Sequence, residues 1–429
     1  MTRLLLGCIA DDFTGATDLA NNLVRAGMRV VQTIGTPTAA LQSEVDAVVI
    51  ALKSRTEPVA DAVSQSLHAL QWLRDQGAKQ IYFKYCSTFD STSEGNIGPV
   101  TEALMQALQT DFTIATPAFP DNGRTVFKGH LFVGDVLLNE SGMQHHPLTP
   151  MTDANLVRVM QAQCRAPVGL IDFKTIAHGE AAIRQRMTEL KAQGVRIAIV
   201  DALSNDDLMR LGPALRDLPL VTAGSGVAIA LPHNFGLRPT PRASALPPPH
   251  GHRAIVAGSC SQATQKQVAD FRARGGAALE IDTRELVGEN TQWAQAVQHA
   301  LTWARPLLTQ GPVLIYSTAQ PEAVKALQAQ FGVAQTGQAI ETALAAVAVG
   351  LQQLGVGQLI VAGGETSGAC VKALGIAQMQ IGLQIDPGVP WCHAHTPAGE
   401  LHVALKSGNF GSDDFFSKAF VQLAQAVTR

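Results

Sequence analysis

The sequence predicts an α/β protein built from two domains, each with a mostly parallel sheet. Short apolar runs alternate with longer amphipathic segments along the chain, which is the pattern of repeated βα units. The apolar runs are continuous rather than alternating, as in strands buried on both faces of a parallel sheet. The length of 429 residues corresponds to two or three domains at ~100–200 residues each, and two is the simplest interpretation.

The predicted strands and helices follow this alternation through both halves of the chain. In the first half the strands lie at Leu4–Ile9, Ala47–Ala51, Gln80–Phe83, Phe112–Thr116, Val168–Ile171, Ile197–Val200 and Leu220–Thr222. Helical patterns between them lie at Asp18–Ala26, Val59–Gln76, Gly98–Leu108 and Ala181–Gln193. In the second half the strands lie at Ala254–Ala257, Val313–Ser317 and Gln358–Ala362. The helices there lie at Ser261–Arg274, Thr291–Leu308 and Ala339–Leu354.

A proline-rich stretch separates the two predicted domains. Residues 237–253 read LRPTPRASALPPPHGHR, a composition that favours a semi-rigid extended connector. The alternative is a long surface loop inside one domain, but a βα pattern restarts at once with Ala254–Ala257. We therefore predict domains at 1–240 and 254–429, joined by a connector at 241–253, and both domain sizes are ordinary.

The composition narrows the classes of partner. Hydrophobic residues make up 46% of the chain, charged residues make up 16%, and the net charge is −3. These values exclude a disordered protein and leave no basic field for a nucleic-acid backbone. The sequence shows neither the ~18–20 consecutive apolar residues that cross a bilayer nor a secretory pattern. The six cysteines are scattered, without metal-binding spacing. We expect a cytoplasmic protein that binds neither nucleic acid nor membrane.

The first candidate site follows the first predicted strand. Asp11 and Asp12 stand at the carboxyl end of that strand, where open α/β sheets bind ligands. Thr14 and Gly15 can open the next helix, whose first N–H groups are unpaired and suit an anion. A helix cap needs only one polar residue, whereas this stretch also offers Asp18. Because adjacent carboxylates repel each other unless a cation or a polar ligand lies near, the pattern favours a functional site.

The second candidate site follows the strand that ends near residue 83. Lys84 stands at the strand end, and Ser87, Thr88, Asp90 and Ser91 follow it. A cation for a carboxylate, together with hydroxyls and an aspartate for alcohols, suits a polyhydroxylated acid. The alternative is a Ser/Thr-rich capping turn, and the lysine at the strand end favours the functional interpretation.

A third candidate is Arg124, in the segment PAFPDNGRT at residues 117–125. A guanidinium can donate two parallel hydrogen bonds to one carboxylate. Arg124 is therefore predicted to clamp the carboxylate of an acidic ligand.

Three glycine-containing turns of the second half each follow an apolar strand. The first contains Ser259, the second contains Gly363, Gly364 and Thr366, and the third contains Gly408, with Lys406 as a candidate phosphate partner. Glycines let the backbone approach a ligand closely, and helix N-termini suit phosphate oxygens. Any one of these turns is weakly specific, but three in one domain predict a nucleotide phosphate site.

Several established signatures are absent from the sequence. It contains no G-x-x-x-x-G-K-[ST] phosphate loop, no complete dinucleotide fingerprint around Gly224–Gly226, and neither H-E-x-x-H nor G-x-S-x-G. A nicotinamide-dependent dehydrogenase is therefore disfavoured.

Taken together, the motifs resemble the four-carbon acid sugar kinase family over nearly the whole chain. The segments that carry this resemblance are IADDFTGATDLA, FKYCSTFDSTSEGNIGP, FPDNGRTVFKGHLFVGD, GSCSQAT, GGETSGA and LKSGNFG. Within the family, the sequence is most similar to the 3-oxo-tetronate kinases, through KYCSTFDST, GHLFVGDVLLNESGMQHHPLTPMTD and PGVPWC.

The resemblance implies an N-terminal sugar-acid-binding domain, a C-terminal nucleotide-binding domain and an active site in the cleft between them. The ligands would be a small sugar acid, ATP and Mg²⁺. By resemblance, the three motifs of the first domain would hold the acid. The implied ATP-binding residues are Ser259, Gly363, Gly364, Glu365, Thr366 and Gly408. Many relatives have Asp where this chain has Glu365, which leaves open whether that carboxylate serves magnesium, ribose or capping.

The implied reaction is ATP-dependent phosphorylation of the terminal hydroxyl of 3-oxo-tetronate, giving 3-oxo-tetronate 4-phosphate. An aspartate would accept the hydroxyl proton, and Asp12 or Asp11 is the candidate for this role. The alternatives are a D-threonate kinase, a D-erythronate kinase and a non-catalytic sensor of sugar acids and nucleotides. The sequence leaves the oligomeric state open and allows a homodimer.

Overall fold

The structure is a computed structural model that describes residues 4–38, 45–90, 92–145, 149–286, 293–317 and 333–426. The chain divides into two compact units, Met1–Ser244 and Ala245–Arg429, and this division falls within the proline-rich stretch. None of the described helices has both the length and the apolar character needed to span a bilayer.

The first unit is built on a sheet of eight parallel strands, with helices in the connections. The strands of this sheet are β1 (Leu6–Ala10), β2 (Val30–Ile34), β3 (Ala47–Ala51), β4 (Gln80–Lys84), β5 (Thr113–Thr116), β9 (Val168–Ile171), β10 (Ile197–Val200) and β11 (Leu220–Ala223). The helices are α1 (Phe13–Arg25), α2 (Val59–Asp75), α3 (Ile97–Ala107), α4 (Leu156–Gln163), α5 (Phe173–Ala177), α6 (Glu180–Ala192) and α7 (Asn205–Ala214). The strand order is β2-β3-β1-β4-β11-β5-β10-β9, and every pairing is parallel. The predicted α/β class is confirmed for this unit.

The structure of this unit differs from the sequence prediction in several places. Strand β2 was missed because its apolar run is interrupted by Gln32 and Thr33, which are nevertheless buried. Helix α1 begins at Phe13, near the predicted opening at Thr14 and Gly15 and ahead of the amphipathic pattern that starts at Asp18, because Asp12 caps it and its side chain accepts a hydrogen bond from the Gly15 N–H. The earlier start brings Thr14 and Gly15 into the first turn of the helix.

A small antiparallel sheet is inserted after β5. Its strands are β6 (Arg124–Phe127), β7 (His130–Val133) and β8 (Val136–Leu137). The buried carboxylate of Asp201, just beyond β10, accepts hydrogen bonds from the N–H groups of Lys128 and Gly129, both at 2.8 Å, and of Phe173 at 2.9 Å. Asp201 therefore fixes the turn that joins β6 to β7, next to the strand that begins with Arg124.

The second unit is built on a sheet of seven strands. They are β12 (His252–Ala257), β13 (Ala277–Glu280), β14 (Val313–Tyr316), β15 (Val356–Ala362), β16 (Gln378–Asp386), β17 (Val389–Thr396) and β18 (Gly399–Lys406), in the order β13-β14-β12-β15-β18-β17-β16. The described helices are α8 (Gln262–Ala273), α9 (Thr283–Leu286), α10 (Trp293–Leu307), α11 (Val333–Gln353), α12 (Gly364–Ala373) and α13 (Phe415–Ala426). Strand β17 pairs antiparallel with β16 and β18, and the other pairings are parallel. The prediction of a second, mostly parallel α/β domain is therefore confirmed.

The core of the second unit lies between this sheet and helices α8 and α13. Trp391 is fully buried there, and its indole N–H donates to the Ala419 carbonyl at 2.9 Å. Residues of the proline-rich stretch also pack on this unit, because His402 bonds the Pro247 carbonyl at 2.9 Å and Gln380 donates to the Ala245 carbonyl at 2.9 Å. The expected connector is thus fastened to the second unit at Ala245 and Pro247.

Candidate active site

The carboxyl ends of neighbouring strands bring the candidate residues of the first unit together. Strands β3, β1 and β4 are adjacent in the sheet, and the residues that follow or end them are Arg55, Asp11 with Asp12, and Lys84. The backbone ties these ends together, since Asp11 N–H donates to the Lys84 carbonyl at 3.0 Å and Arg55 N–H donates to the Asp11 carbonyl at 3.2 Å. The first two sequence motifs therefore form one cluster.

Arg55 bridges the two aspartates of this cluster. Its guanidinium binds Asp11 through two bonds of 2.9 Å, from Nε to Oδ2 and from Nη2 to Oδ1. The same Nη2 lies 2.6 Å from Asp12 Oδ1. The positive charge of Arg55 offsets the electrostatic repulsion between these two adjacent carboxylates. Sequence analysis missed Arg55, although its place just beyond the predicted strand Ala47–Ala51 is the signal that could have found it.

The two aspartates differ in exposure and in ionisation. The Asp11 side chain is only 7% exposed and that of Asp12 is 26% exposed. Burial raises the pKa of Asp11 despite the opposing charge of Arg55. Burial also acts to raise the pKa of Asp12, but Arg55, Lys84 and hydrogen bonds from Thr14 and Gly15 hold that pKa below its ordinary value. Asp12 is therefore the more acidic of the two carboxylates.

Each oxygen of Asp12 has its own surroundings. Oδ1 accepts from the Gly15 N–H at 3.1 Å and contacts Arg55, whereas Oδ2 accepts only from the Thr14 hydroxyl at 3.3 Å among the described residues. A methyl group on Gly15 would lie 2.2 Å from Asp12 Oδ1 and 2.4 Å from Lys84 Nζ. Glycine is therefore required at position 15 for the carboxylate and the ammonium to occupy this space.

Lys84 is a cation without a bonded partner in the described part of the chain. The residue is 3% exposed, yet its Nζ forms no hydrogen bond or ion pair with those residues, and its charge acts on Asp11, Asp12 and Asp18 only from a distance. An ammonium has three donors. Lys84 can therefore donate to an anionic ligand.

Asp18 lies one helical turn beyond this cluster and is held by Ser225. The Ser225 hydroxyl donates to Asp18 Oδ2, and burial raises the pKa of Asp18 against that bond. Ser225 follows β11 and stands between two glycines that the fold requires. Methyl groups on Gly224 and Gly226 would lie 2.9 and 2.2 Å from the carbonyl oxygens of Pro117 and Ala118. Sequence analysis tested this glycine pair only against a dinucleotide fingerprint and missed Ser225.

The loop after Lys84 is a tight turn built around Cys86. Its Sγ accepts from the Asp90 N–H at 3.1 Å and from the Thr88 hydroxyl at 3.6 Å. Phe89 and Asp90 have φ angles of 67° and 38°, a region that non-glycine residues rarely adopt. Asp90 is buried, whereas Ser87 and Thr88 are partly exposed. Ser91 lies outside the described residues.

Arg124 is half-buried at the edge of the same unit. Its Nη1 donates to the Asn122 carbonyl at 2.6 Å, while the buried Nε has no partner among the residues that the structure describes. Burial lowers the pKa of Arg124. The structure does not bond Arg124 to the Asp11–Asp12 cluster, but it does leave a guanidinium with donors available to an anion.

In the second unit, the three predicted turns meet at the carboxyl ends of adjacent strands. Strands β12, β15 and β18 are neighbours and lead into the turns that contain Ser259, Gly363 and Gly408. A methyl group on Gly408 would lie 2.3 Å from Ser259 Oγ, and one on Gly363, where φ is 132°, would lie 2.8 Å from the Thr366 hydroxyl. The close approach of these turns therefore depends on glycine.

Lys406 holds the third turn, which contains Gly408, through hydrogen bonds from its side chain. It has no exposed surface, and its Nζ donates to the Gly408 carbonyl at 3.0 Å, the Ser407 carbonyl at 3.1 Å and the Thr264 hydroxyl at 3.0 Å. Burial lowers its pKa to about 8. Its donors are thus engaged by the turn, and the expectation that Lys406 binds phosphate directly is not supported by its surroundings.

Helix α12 directly follows β15, so its N-terminus lies at the carboxyl end of that strand, beside the three turns. Gly364 and Glu365 are exposed in its first turn, and Thr366 is buried. Unpaired N–H groups at a helix start suit phosphate oxygens. Across the described residues, no group of three or more His, Cys, Asp or Glu side chains is arranged to hold a metal ion.

Comparisons with known proteins match both units. Family models for a sugar-binding N-terminal domain and a nucleotide-binding C-terminal domain match residues 6–231 and 254–416. The 3-oxo-tetronate kinase of Pseudomonas fluorescens is 58% identical over 98% of this chain and 98% of its own length, and that of Burkholderia multivorans is 57% identical over 99% of both. A crystal structure of a Haemophilus influenzae protein superposes with a TM-score of 0.84 at 47% identity, covering 97% of this chain and 100% of that one.

These matches agree with the division of the chain found above. The sugar-binding model spans the unit with the Asp12, Arg55 and Lys84 cluster, and the nucleotide-binding model spans the unit with the three glycine turns. The resemblance noted in the sequence is confirmed at high identity over nearly the full length. The chain therefore belongs to the family of the 3-oxo-tetronate kinases.

Proposed function

We propose that this protein transfers the γ-phosphoryl group of ATP to the terminal hydroxyl of 3-oxo-tetronate, giving 3-oxo-tetronate 4-phosphate and ADP. The observation that carries the proposal is the low-pKa carboxylate of Asp12 near the ammonium of Lys84, which bonds none of the described residues, at the carboxyl ends of strands β1 and β4. Such a pair offers a proton acceptor and a cation to an acid that also carries a hydroxyl. The names of the curated relatives support the same substrate.

The acid is proposed to bind through cations and hydroxyls of the first unit. Lys84 Nζ and Arg124 Nε bond no residue in the described part of the chain, and both side chains are proposed to donate to a carboxylate or a carbonyl oxygen. Thr14, Ser87 and Thr88 are partly exposed and offer hydroxyls. Asp18 and Asp90 are proposed to support the site from behind, since Asp18 is held by Ser225 and Asp90 is buried in the tight turn.

Asp12 is proposed as the catalytic base in preference to Asp11. Both oxygens of Asp11 are occupied by Arg55, whereas Asp12 Oδ2 accepts one long bond from the described residues, that of the Thr14 hydroxyl. In the proposed step the proton of the terminal hydroxyl passes to Asp12 Oδ2. The hydroxyl oxygen forms a bond to the γ-phosphorus, and the bond from that phosphorus to the β–γ bridging oxygen breaks.

ATP is proposed to bind at the three turns of the second unit. The N–H groups of Gly364, Glu365 and Thr366 at the start of α12 would face phosphate oxygens, with Ser259 and Gly408 completing the cradle. The described residues form no cage for Mg²⁺. We therefore propose that this ion enters with the phosphates of ATP, which is its common mode of binding in kinases.

The test is ADP release from the purified protein with 3-oxo-tetronate, D-threonate and D-erythronate as separate acceptors. We expect a clear preference for 3-oxo-tetronate, and a preference for either reduced acid would reassign the substrate. ATP binding without turnover of any acid would support a sensor instead. We also propose a cytoplasmic location, which the six free thiols support.

A further inference from the structure

Arg55 directs its Nε and Nη2 at the two aspartates, although its side chain is 28% exposed. Its fork holds both oxygens of Asp11, and its Nη2 reaches Asp12 Oδ1 at 2.6 Å. The loop that carries it is also fixed, because Asn96 Nδ2 donates to the carbonyls of Ser54 and Glu57, both at 2.9 Å. A guanidinium anchored at its backbone and at its fork has little freedom to follow a substrate.

We propose that Arg55 is a positioning residue, which uses Asp11 as an anchor to hold Asp12 Oδ1 and so leaves Asp12 Oδ2 facing the hydroxyl that reacts. This inference rests on the proposed role of Asp12 as base. Arg55 acts through Asp12 and is not itself assigned a contact with the acid. Asp11, in turn, has the role of anchor and not that of a second base.

The charges around Asp12 make the effect of Arg55 measurable. Asp11 is its like-charged neighbour, Arg55 and Lys84 are the nearby cations, and Asp18 is a further carboxylate within electrostatic range. With Arg55 present, the two cations balance Asp11 and Asp12. Without Arg55, Lys84 is the one cation of this pair left beside the two adjacent carboxylates, and the pKa of one carboxylate rises.

The experiment compares the pH dependence of kcat and kcat/KM for the acid, at saturating ATP, in the native enzyme, Arg55→Gln and Arg55→Lys. We expect Arg55→Gln to lower kcat about 100-fold at neutral pH, which is the scale of misplacing a general base. The acidic limb of its pH–rate profile, where the rate falls towards low pH, should move to a pH about one unit or more higher, as expected when an opposite charge is lost. Arg55→Lys keeps the charge but not the fork, so its limb should move less and part of kcat should return.

The matched control is Lys53→Gln, which removes a positive charge from the same loop at an exposed position. It should leave kcat and the acidic limb unchanged. A fall in kcat for Arg55→Gln by the same factor at every pH, with an unmoved limb, would overturn the proposal. If that variant fails to fold, as judged by its melting curve, Arg55→Lys carries the test, and an unmoved limb there counts against the proposal equally. Near-normal turnover in Asp12→Asn would show separately that Asp12 is not the base.

Discussion

Adjacent aspartates in this protein differ because their surroundings differ. Asp11 is enclosed and doubly bonded to Arg55, whereas Asp12 is partly exposed and surrounded by cations and hydrogen-bond donors. The same division of labour between paired carboxylates is a general way to set acid and base roles. Only the environment of each carboxylate distinguishes them, since their residue type is the same.

Replacing each aspartate by asparagine should separate the two roles. Asp12→Asn should lower kcat by ~10²–10⁴-fold, the range for a lost general base, without lowering Tm, because asparagine caps helices as well as aspartate does. Asp11→Asn should lower Tm, since it breaks a buried pair with Arg55, and should retain measurable turnover. Steady-state kinetics and thermal melting check both. Near-normal turnover in Asp12→Asn would remove Asp12 as the base.

At the scale of elements, the turns that follow parallel strands carry both candidate sites. In the second unit, β12, β15 and β18 end side by side, and the turns after them approach so closely that Gly408 leaves no room for a side chain. Lys406 supports the last of these turns through two carbonyls and a hydroxyl. The shape of the proposed phosphate site thus depends on backbone packing more than on side-chain charge.

Gly408→Ala should therefore raise the KM for ATP at least tenfold while leaving the KM for the acid unchanged. The added methyl group would lie 2.3 Å from Ser259 Oγ and must displace it. The control is Gly368→Ala in helix α12, where nothing lies within 4 Å of the new methyl group and alanine should add ~0.5–1 kcal/mol of stability. Equal KM values for ATP in Gly408→Ala and the native enzyme would show that this turn does not contact the nucleotide.

The β17–β18 hairpin adds a pH-dependent element to the second unit. Burial lowers the pKa of His402 to about 4, and its ring lies 5.0 Å from that of His393, whose pKa burial also lowers. Because the folded pKa is below the unfolded value near 6.5, the neutral ring is favoured in the fold. The stability that depends on it is complete above about pH 6.5 and is lost as the pH falls towards 4.

Replacing His402 by glutamine should weaken this acid sensitivity. Glutamine keeps a donor for the Pro247 carbonyl that His402 bonds but does not titrate. The difference in Tm between pH 7 and pH 4.5 should be smaller in His402→Gln, by an amount equivalent to at most about 3 kcal/mol. Differential scanning calorimetry at the two pH values measures it, and an unchanged difference would rule out His402 as the titrating group.

At the scale of the whole molecule, each proposed ligand site draws on one unit alone. All described residues assigned to the acid lie within Met1–Ser244, and all those assigned to ATP lie within Ala245–Arg429. The low content of charged residues, 16% of the chain, agrees with anion binding by a few cations and by backbone N–H groups at these edges.

Ligand-induced stabilisation should therefore be separable by mutation. A ligand that binds only the native state stabilises it by RT ln(1 + [L]/Kd) and so raises Tm. Lys84→Gln should abolish the rise caused by the acid and keep the rise caused by ATP, whereas Gly408→Ala should do the reverse. Melting curves with each ligand alone measure this. Loss of both rises in either variant would contradict the assignment of one ligand to each unit.

The sequence was most informative where structure is local. Continuous apolar runs located most parallel strands of the first unit within two residues, and the turns after them contained the polar motifs. The sequence indicated only the end of β18, before the third glycine turn, and missed β16 and β17, because polar residues such as Gln380, His393 and His402 interrupt the apolar pattern. Gln380 and His402 are tolerated there by hydrogen bonds with the carbonyls of Ala245 and Pro247, which no local pattern shows.

The sequence alone thus determined the α/β class, the family and the glycine and carboxylate motifs at strand ends, because each depends on a few consecutive residues. Only the tertiary structure decided which of these ends meet. It brings Arg55 to Asp11 across 44 positions and Ser225 to Asp18 across 207 positions. The charge and burial of a side chain are set by such distant neighbours, since the order of strands in a sheet differs from their order in the chain. For that reason the distinct roles of Asp11 and Asp12 emerge only from the fold.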